Sequence, residues 1–323
     1  MHKGIRTAIT LATAALTLAA HAEGASLVER LGFKPDARLL IVNADDYGMN
    51  HATNEATEHA LASGGVTSTT IMVPCPWYPM AVDFAKKHPT GNFGVHTVLT
   101  SEWSKYKWGP VIGVTAAPSL VDDMGYFHPD VPPLYLHAKI EDVNVEIRAQ
   151  IDKAIKSGLD ITHIDSHMGA MQYAPGYHKL YIEIAKEYNL PCRIAGRAMM
   201  EKFGGGQLID YADQLGVLHC EELITDGPKE TSDEATAAYW KEQMANIPVG
   251  KVTEILIHCG KMTPEMEATT ASAKRRTADT DFFANPETVK WIKEQGIELI
   301  SYRELRELQR TGKPIPRVER YGW

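Results

Sequence analysis

The stretch Leu39-Leu-Ile-Val-Asn-Ala-Asp-Asp-Tyr-Gly-Met-Asn50 (LLIVNADDYGMN) decides how this chain is read. Leu39 to Val42 is an apolar run of the kind found in buried strands, yet it ends on two adjacent carboxylates, Asp45 and Asp46. Neighbouring residues on extended backbone point to opposite faces, so the two acids can share one side only if a turn reorients them. Tyr47-Gly48 permits such a turn. Two readings follow: either an acid caps the helix beginning near Asn50, or the pair opens a site at the end of a strand.

Working outward, short β-rich runs alternate with longer amphipathic ones, the pattern of βαβ units around a parallel sheet. The strands expected are Arg38 to Asn43, Thr67 to Val73, Asn92 to Leu99, Ile161 to His167, Cys192 to Gly196, Val217 to Leu223, Val252 to Cys259 and Ile297 to Tyr302. Helices are expected between them, among others at Asn50 to Ala62, Ile140 to Lys156, Gly176 to Tyr188, Thr231 to Asn246 and Pro286 to Gln295. Such a series predicts an α/β fold, a distorted TIM-like (β/α) barrel of seven or eight parallel strands. An open doubly wound sheet is the alternative, but no Gly-rich nucleotide fingerprint follows an early strand. No linker or repeat divides the chain, so residues 23–323 are expected to form one domain.

Residues 1–22 are read separately. Lys3 and Arg6 form a basic start, Thr7 to Ala20 an apolar segment of fourteen residues, and Ala20-His-Ala22 a cleavage site. The segment is shorter than the roughly 20 residues that span a bilayer, so it reads as a secretory signal peptide. An exported protein, periplasmic or secreted, is expected, with no stable membrane anchor. Cleavage takes the formal net charge from −8 to −10 as Lys3 and Arg6 leave, which argues against nucleic acid and anionic membranes as partners. Cys75, Cys192, Cys220 and Cys259 are widely spaced and contain no C-x-x-C pair; one disulfide or four buried thiols both fit. A homodimer is allowed for.

In parallel α/β folds the active site lies at the carboxyl ends of the strands. Asp45 and Asp46 follow the first strand, His96 ends the third, His163, Asp165 and His167 end the fourth, and His258 ends the seventh. One buried histidine at such a place is ordinarily structural; four strands agreeing point to a site. An Asp and two His converging on one point suit a divalent metal, Zn²⁺ by its imidazoles or Mg²⁺ by its carboxylate. Three protein ligands leave room for a water activated as a hydrolytic nucleophile. One acid of the pair can then ligate while the other accepts the water's proton. His163, Asp165 and His167 share a face at period two. His167, nearest the strand end, is the expected ligand; Asp165 orients a histidine from behind, and His163, deeper, is structural. His258 is placed to protonate a leaving group. A Cys259–His258 nucleophile pair is disfavoured because adjacent strand residues face opposite ways.

Two connections are long for their place, Thr100 to His137 and Gly260 to Asn285, and long ordered loops are usually functional. Trp103 and Trp108 in the first are either core or stacking platforms for sugar rings; Arg275 in the second is a further candidate for binding substrate.

Taken in order, Asn43-Ala-Asp-Asp-Tyr-Gly48, Gly94-Val-His96 with Leu99-Thr100, Thr162-His-Ile-Asp-Ser-His167, His258, Arg275-Arg276 and Ile297-Glu-Leu-Ile-Ser-Tyr-Arg-Glu-Leu305 resemble the YdjC-like carbohydrate deacetylases. That family includes chitooligosaccharide deacetylases and hopanoid-pathway relatives. The resemblance spans about Arg38 to Leu308. It implies a distorted barrel, one divalent ion held by Asp46, His96 and His167, Asp45 as catalytic base and His258 as acid. The implied substrate is an N-acetylated, or O-acetylated, sugar or oligosaccharide, cleaved to acetate. Departures are Met168-Gly-Ala-Met171 where further histidines are frequent, and Thr97 where Leu is common. The alternatives are metal-dependent hydrolysis of a phosphoester or cyclic amide, and a secreted carbohydrate-binding barrel without turnover.

Overall fold

A computed structural model describes residues 24–316. The expected signal peptide lies outside the described residues. Among the described residues seven strands form one sheet: β1 (Arg38–Tyr47), β2 (Ser68–Ile71), β3 (Phe93–Thr97), β4 (Ile164–Ser166), β5 (Glu222–Ile224), β6 (Val252–His258) and β7 (Ile297–Leu299). Their order is β4-β3-β2-β1-β6-β5, with β7 added to the first residues of β1, and every pairing is parallel. The sheet curls into a distorted barrel with the lower of the two strand numbers expected.

The fifth of the expected strands, Cys192 to Gly196, is reduced to a single bridge between Ile164 and Cys192. Around that point the Arg193 amide donates to the Ile164 carbonyl and the Cys192 amide to the Leu218 carbonyl, so the curl continues from β4 toward β5. Pro191 has no N–H to give, and Arg193 is drawn inward by buried carboxylates, which stops the ladder there.

β1 organises the rest. Leu40, Val42 and Ala44 pack in the larger apolar cluster, whereas Leu39 and Ile41 pack in a smaller one with Val28, Leu31, Tyr302 and Leu305. Burial on both faces is what an uninterrupted apolar run dictates, each such side chain contributing about 1.5–3 kcal/mol. By the same alternation Asn43 and Asp45 continue the face of Leu39 and Ile41. Register then sets the site, because Asp45 lies beside His258 of β6, and His96 of β3 beside Asp165 of β4.

Most helices stand where the periodicity predicts them, including His51–Ser63, Ile140–Lys156, Pro175–Glu187, Asp233–Ala245 and Pro286–Glu294. Asn50 caps the first of these by accepting the Thr53 amide at 2.8 Å, so neither acid is used as the cap. Among the described residues no helix is long and apolar enough to cross a membrane, and all four cysteines are buried free thiols.

Candidate metal centre

The paired acids come to one side through a break in the ladder. The β1–β2 register shifts between Ala44 and Tyr47, and Asp46 adopts a left-handed φ of 68°. Such a bulge re-aims side chains at a strand end. Gly48, at φ 92°, completes the turn; a Cβ there would lie 3.3 Å from Ile71 Cγ2. Three described non-glycine residues have positive φ, and two belong here: Asp46 and Met168, which follows His167. Strain gathered at one place marks a site whose geometry the surrounding fold over-determines.

Asp46, His96 and His167 are drawn together at the carboxyl end of the sheet, each almost fully buried. Asp46 Oδ1 lies 3.3 Å from His96 Nε2 and 3.3 Å from His167 Nδ1, and the two nitrogens are 3.2 Å apart. An ion bound tetrahedrally at about 2.0–2.1 Å sets its ligand atoms about 3.3 Å apart, so the triangle fits one. Asp46 Oδ1 is buried with no hydrogen-bond partner, an orphan that a cation would satisfy. Asp46 Oδ2 is taken by Arg276 at 2.7 Å, leaving the other oxygen to ligate alone. Asp45, His96 and Asp165 form a second grouping. Arg193 supplies its cation, with Nη1 at 2.7 Å from Asp45 and 2.9 Å from Asp165.

Both histidines have a carboxylate on the nitrogen that turns away from the triangle. Asp165 Oδ1 meets His96 Nδ1 at 2.6 Å, and Glu102 Oε2 meets His167 Nε2 at 2.9 Å. Burial alone would push these imidazoles down. Asp165 with Asp45 and Asp46 outweighs it at His96, held at about 10, and Glu102 with Asp46 outweighs it at His167, held at about 9. The carboxylates around the two imidazoles therefore favour positive charge at this site.

Asp45 does not share in the triangle. Arg193 grips it with two bonds of 2.7 Å, and Asn43 Nδ2 donates to Oδ1 at 2.8 Å. Burial would raise this carboxyl, but Arg193 and His96 keep it well below the ordinary range. His258 stands at the open side, with Nε2 3.8 Å from Asp46 Oδ2 and its side chain 35% exposed. Desolvation, aided by Arg276 and His96, lowers it to about 4, so it is neutral at neutral pH. His163 lies deeper, stacked on Tyr302 with ring centres 3.8 Å apart and Nε2 3.2 Å from Asn43 Oδ1. Gly94 makes room for it, since a Cβ there would meet the ring at 2.6 Å.

The substrate-binding expectations meet a different geometry. Trp103 and Trp108 are buried, the first beneath the Arg276 guanidinium at 5.5 Å and the second 6.2 Å from the His167 ring. They pack behind the site and offer no free face to a sugar. Arg275 turns to Asp279 at 3.7 Å, and its neighbour Arg276 enters the site. Successive residues on a helix point about 100° apart, so only one of the pair can face the triangle. The sequence alone does not single out Glu102 or Arg193. Glu102 falls in a loop without periodicity; Arg193 carried one signal, a lone charge inside Leu190-Pro-Cys-Arg-Ile-Ala195.

These features define a parallel α/β barrel with a candidate Asp–His–His metal centre at its mouth. The sequence model of the YdjC-like proteins matches residues 39–294, and the chain belongs to that family. A carbohydrate deacetylase of Brevibacillus brevis is 32% identical over 266 residues, covering 82% of this chain and 99% of the relative. One from Geobacillus stearothermophilus is 28% identical over 271 residues, covering 84% and 99%. The solved structure of a candidate cellobiose-phosphate cleavage protein from Enterococcus faecalis V583 aligns with TM-score 0.72 and 27% identity, covering 83% of this chain and 99% of that one.

Proposed function

We propose that this chain is a metal-dependent hydrolase that removes acetyl groups, as acetate, from an N-acetylated or O-acetylated sugar. The observation that carries the reading is the 3.2–3.3 Å triangle of Asp46, His96 and His167 with a separately held carboxylate, Asp45, beside it. The names of the curated relatives, carbohydrate deacetylases matched along nearly their whole length, support the bond and the substrate class.

Asp46 Oδ1, His96 Nε2 and His167 Nδ1 would hold the ion, and two imidazoles favour Zn²⁺ or another transition ion over Mg²⁺. When bound, it supplies Lewis-acid polarisation of the acetyl carbonyl and lowers the pKa of water toward neutrality. Asp45 is ionised at any working pH and accepts three hydrogen bonds, from Arg193 twice and from Asn43. A carboxylate has about four acceptor directions, so one remains for the proton of the attacking water. His258 faces the open side and hands a proton to the departing amine or alkoxide. Because it rests neutral, the proton it hands over is the one Asp45 takes from the water, so the water's proton ends on the leaving group.

Acetate release from a panel of acetylated mono- and oligosaccharides tests the reading. Loaded wild type should release acetate and chelated protein should not. Asp45→Asn should keep its metal yet lose about 10²–10⁴-fold in turnover, the range for a general base. No acetate from any member, or an Asp45→Asn variant as active as wild type, overturns it. A phosphoester or cyclic-amide hydrolase would pass the metal test and fail this product test.

A further inference from the structure

We propose that Glu102 is a positioning residue of the metal centre: it holds His167 so that Nδ1, not Nε2, is presented to the ion. This rests on the metal-centre reading above and concerns a residue outside the three-ligand set.

The two histidines present opposite nitrogens to the triangle, His96 its Nε2 and His167 its Nδ1. Each orientation needs the other nitrogen to carry the proton. For His96 the partner is Asp165, on the neighbouring strand in direct register. For His167 no strand residue does this; Glu102 reaches in from the Thr100 to His137 loop and its Oε2 accepts the hydrogen bond from Nε2 at 2.9 Å. A hydrogen bond to a carboxylate on the outward nitrogen fixes tautomer and ring orientation and raises ligand basicity.

Glu102 is not a loose surface acid that has drifted into range. Its side chain is 24% exposed and that of His167 only 4%. The backbone on either side is pinned: the Ser101 amide donates to the His128 carbonyl at 2.9 Å, Trp103 lies beneath Arg276, and Trp108 Nε1 donates to the Thr100 carbonyl at 2.8 Å. Tyr106 further ties the loop to the turn after β1 by donating to the Met49 carbonyl at 2.6 Å. A pinned, half-buried carboxylate on a ligand is a built contact, and charge-assisted bonds of this kind are the strong ones. The long loop is thereby a structural part of the metal centre, beyond any role in covering the site.

The test titrates metal-free full chain with Zn²⁺ against a competing chelator, for wild type, Glu102→Gln and Glu102→Ala. Gln keeps an acceptor but loses the charge. We expect affinity about 10-fold weaker for Gln and about 100-fold weaker for Ala, the span usual for such partners. Co²⁺-substituted protein should also show a shifted visible spectrum in Glu102→Ala, because His167 is no longer held. A loop-anchoring role alone predicts the reverse pattern: lower thermal stability of the metal-free Ala variant, with wild-type affinity and an unchanged Co²⁺ spectrum. That result overturns the proposal while leaving the metal centre intact. If wild type itself takes up no ion, the metal-centre reading falls and this inference falls with it.

Discussion

Arg193 is buried against three carboxylates, Asp45, Asp165 and Glu254, and contacts each within 2.9 Å. Glu254 is fixed in turn by the Tyr302 hydroxyl, whose ring stacks on His163. One guanidinium thus holds the proposed base and the carboxylate behind His96 in a single arrangement, which its fork of donors suits better than an ammonium. Removing it leaves three buried acids short of a cation. Arg193→Met should destabilise the fold by about 3–5 kcal/mol in urea unfolding, the cost of breaking a buried pair from one side. Arg193→Lys should fall between. The candidate site residues in strand-end motifs are legible because strand ends are where such folds place functional groups; Arg193 is not, because a charge inside an apolar run shows its partners only once distant strands meet.

At the scale of elements, the helix Ala273–Phe283 delivers Arg276 to Asp46 and turns Arg275 outward to Asp279. Asp279 is itself buried. Desolvation raises its carboxyl to about 6 although Trp240 Nε1 donates to it at 2.8 Å and Arg275 stands near. A carboxyl whose folded pKa is above its unfolded value binds its proton more tightly in the native state, so stability falls as pH rises between the two values. From 3.8 to about 6 that amounts to about 3 kcal/mol, fully lost above pH 6. Asp279→Asn keeps an acceptor for Trp240 and should flatten this slope. Unfolding free energies of both proteins between pH 4 and pH 7 check it; parallel profiles would refute it. The expected elements compare well with those found, Ile140–Lys156 agreeing at both ends. The differences share a cause: Cys192 to Gly196 is left with a single bridge and Val217 to Leu223 forms a ladder only from Glu222, as β5, because pairing needs a neighbour in register, which a single segment does not reveal.

For the whole molecule, the three candidate ligand residues stand on β1, on β3 and just after β4, so an ion held by them would tie three parts of the barrel together. A ligand bound only by the folded state stabilises it by mass action. With free Zn²⁺ at about 100 times its dissociation constant, the gain should be about 2.7 kcal/mol. Chemical unfolding with and without chelator measures this, and the gain should vanish in His96→Ala. The span in sequence adds a temporal consequence. Asp46, His96 and His167 are all made before the second half of the chain is complete, but Arg276, the cation that occupies Asp46 Oδ2, comes 230 residues after its partner. On the ribosome, the candidate ligand set precedes Arg276, and a chain shortened before that helix carries all three candidate ligand residues without the guanidinium that takes Asp46 Oδ2.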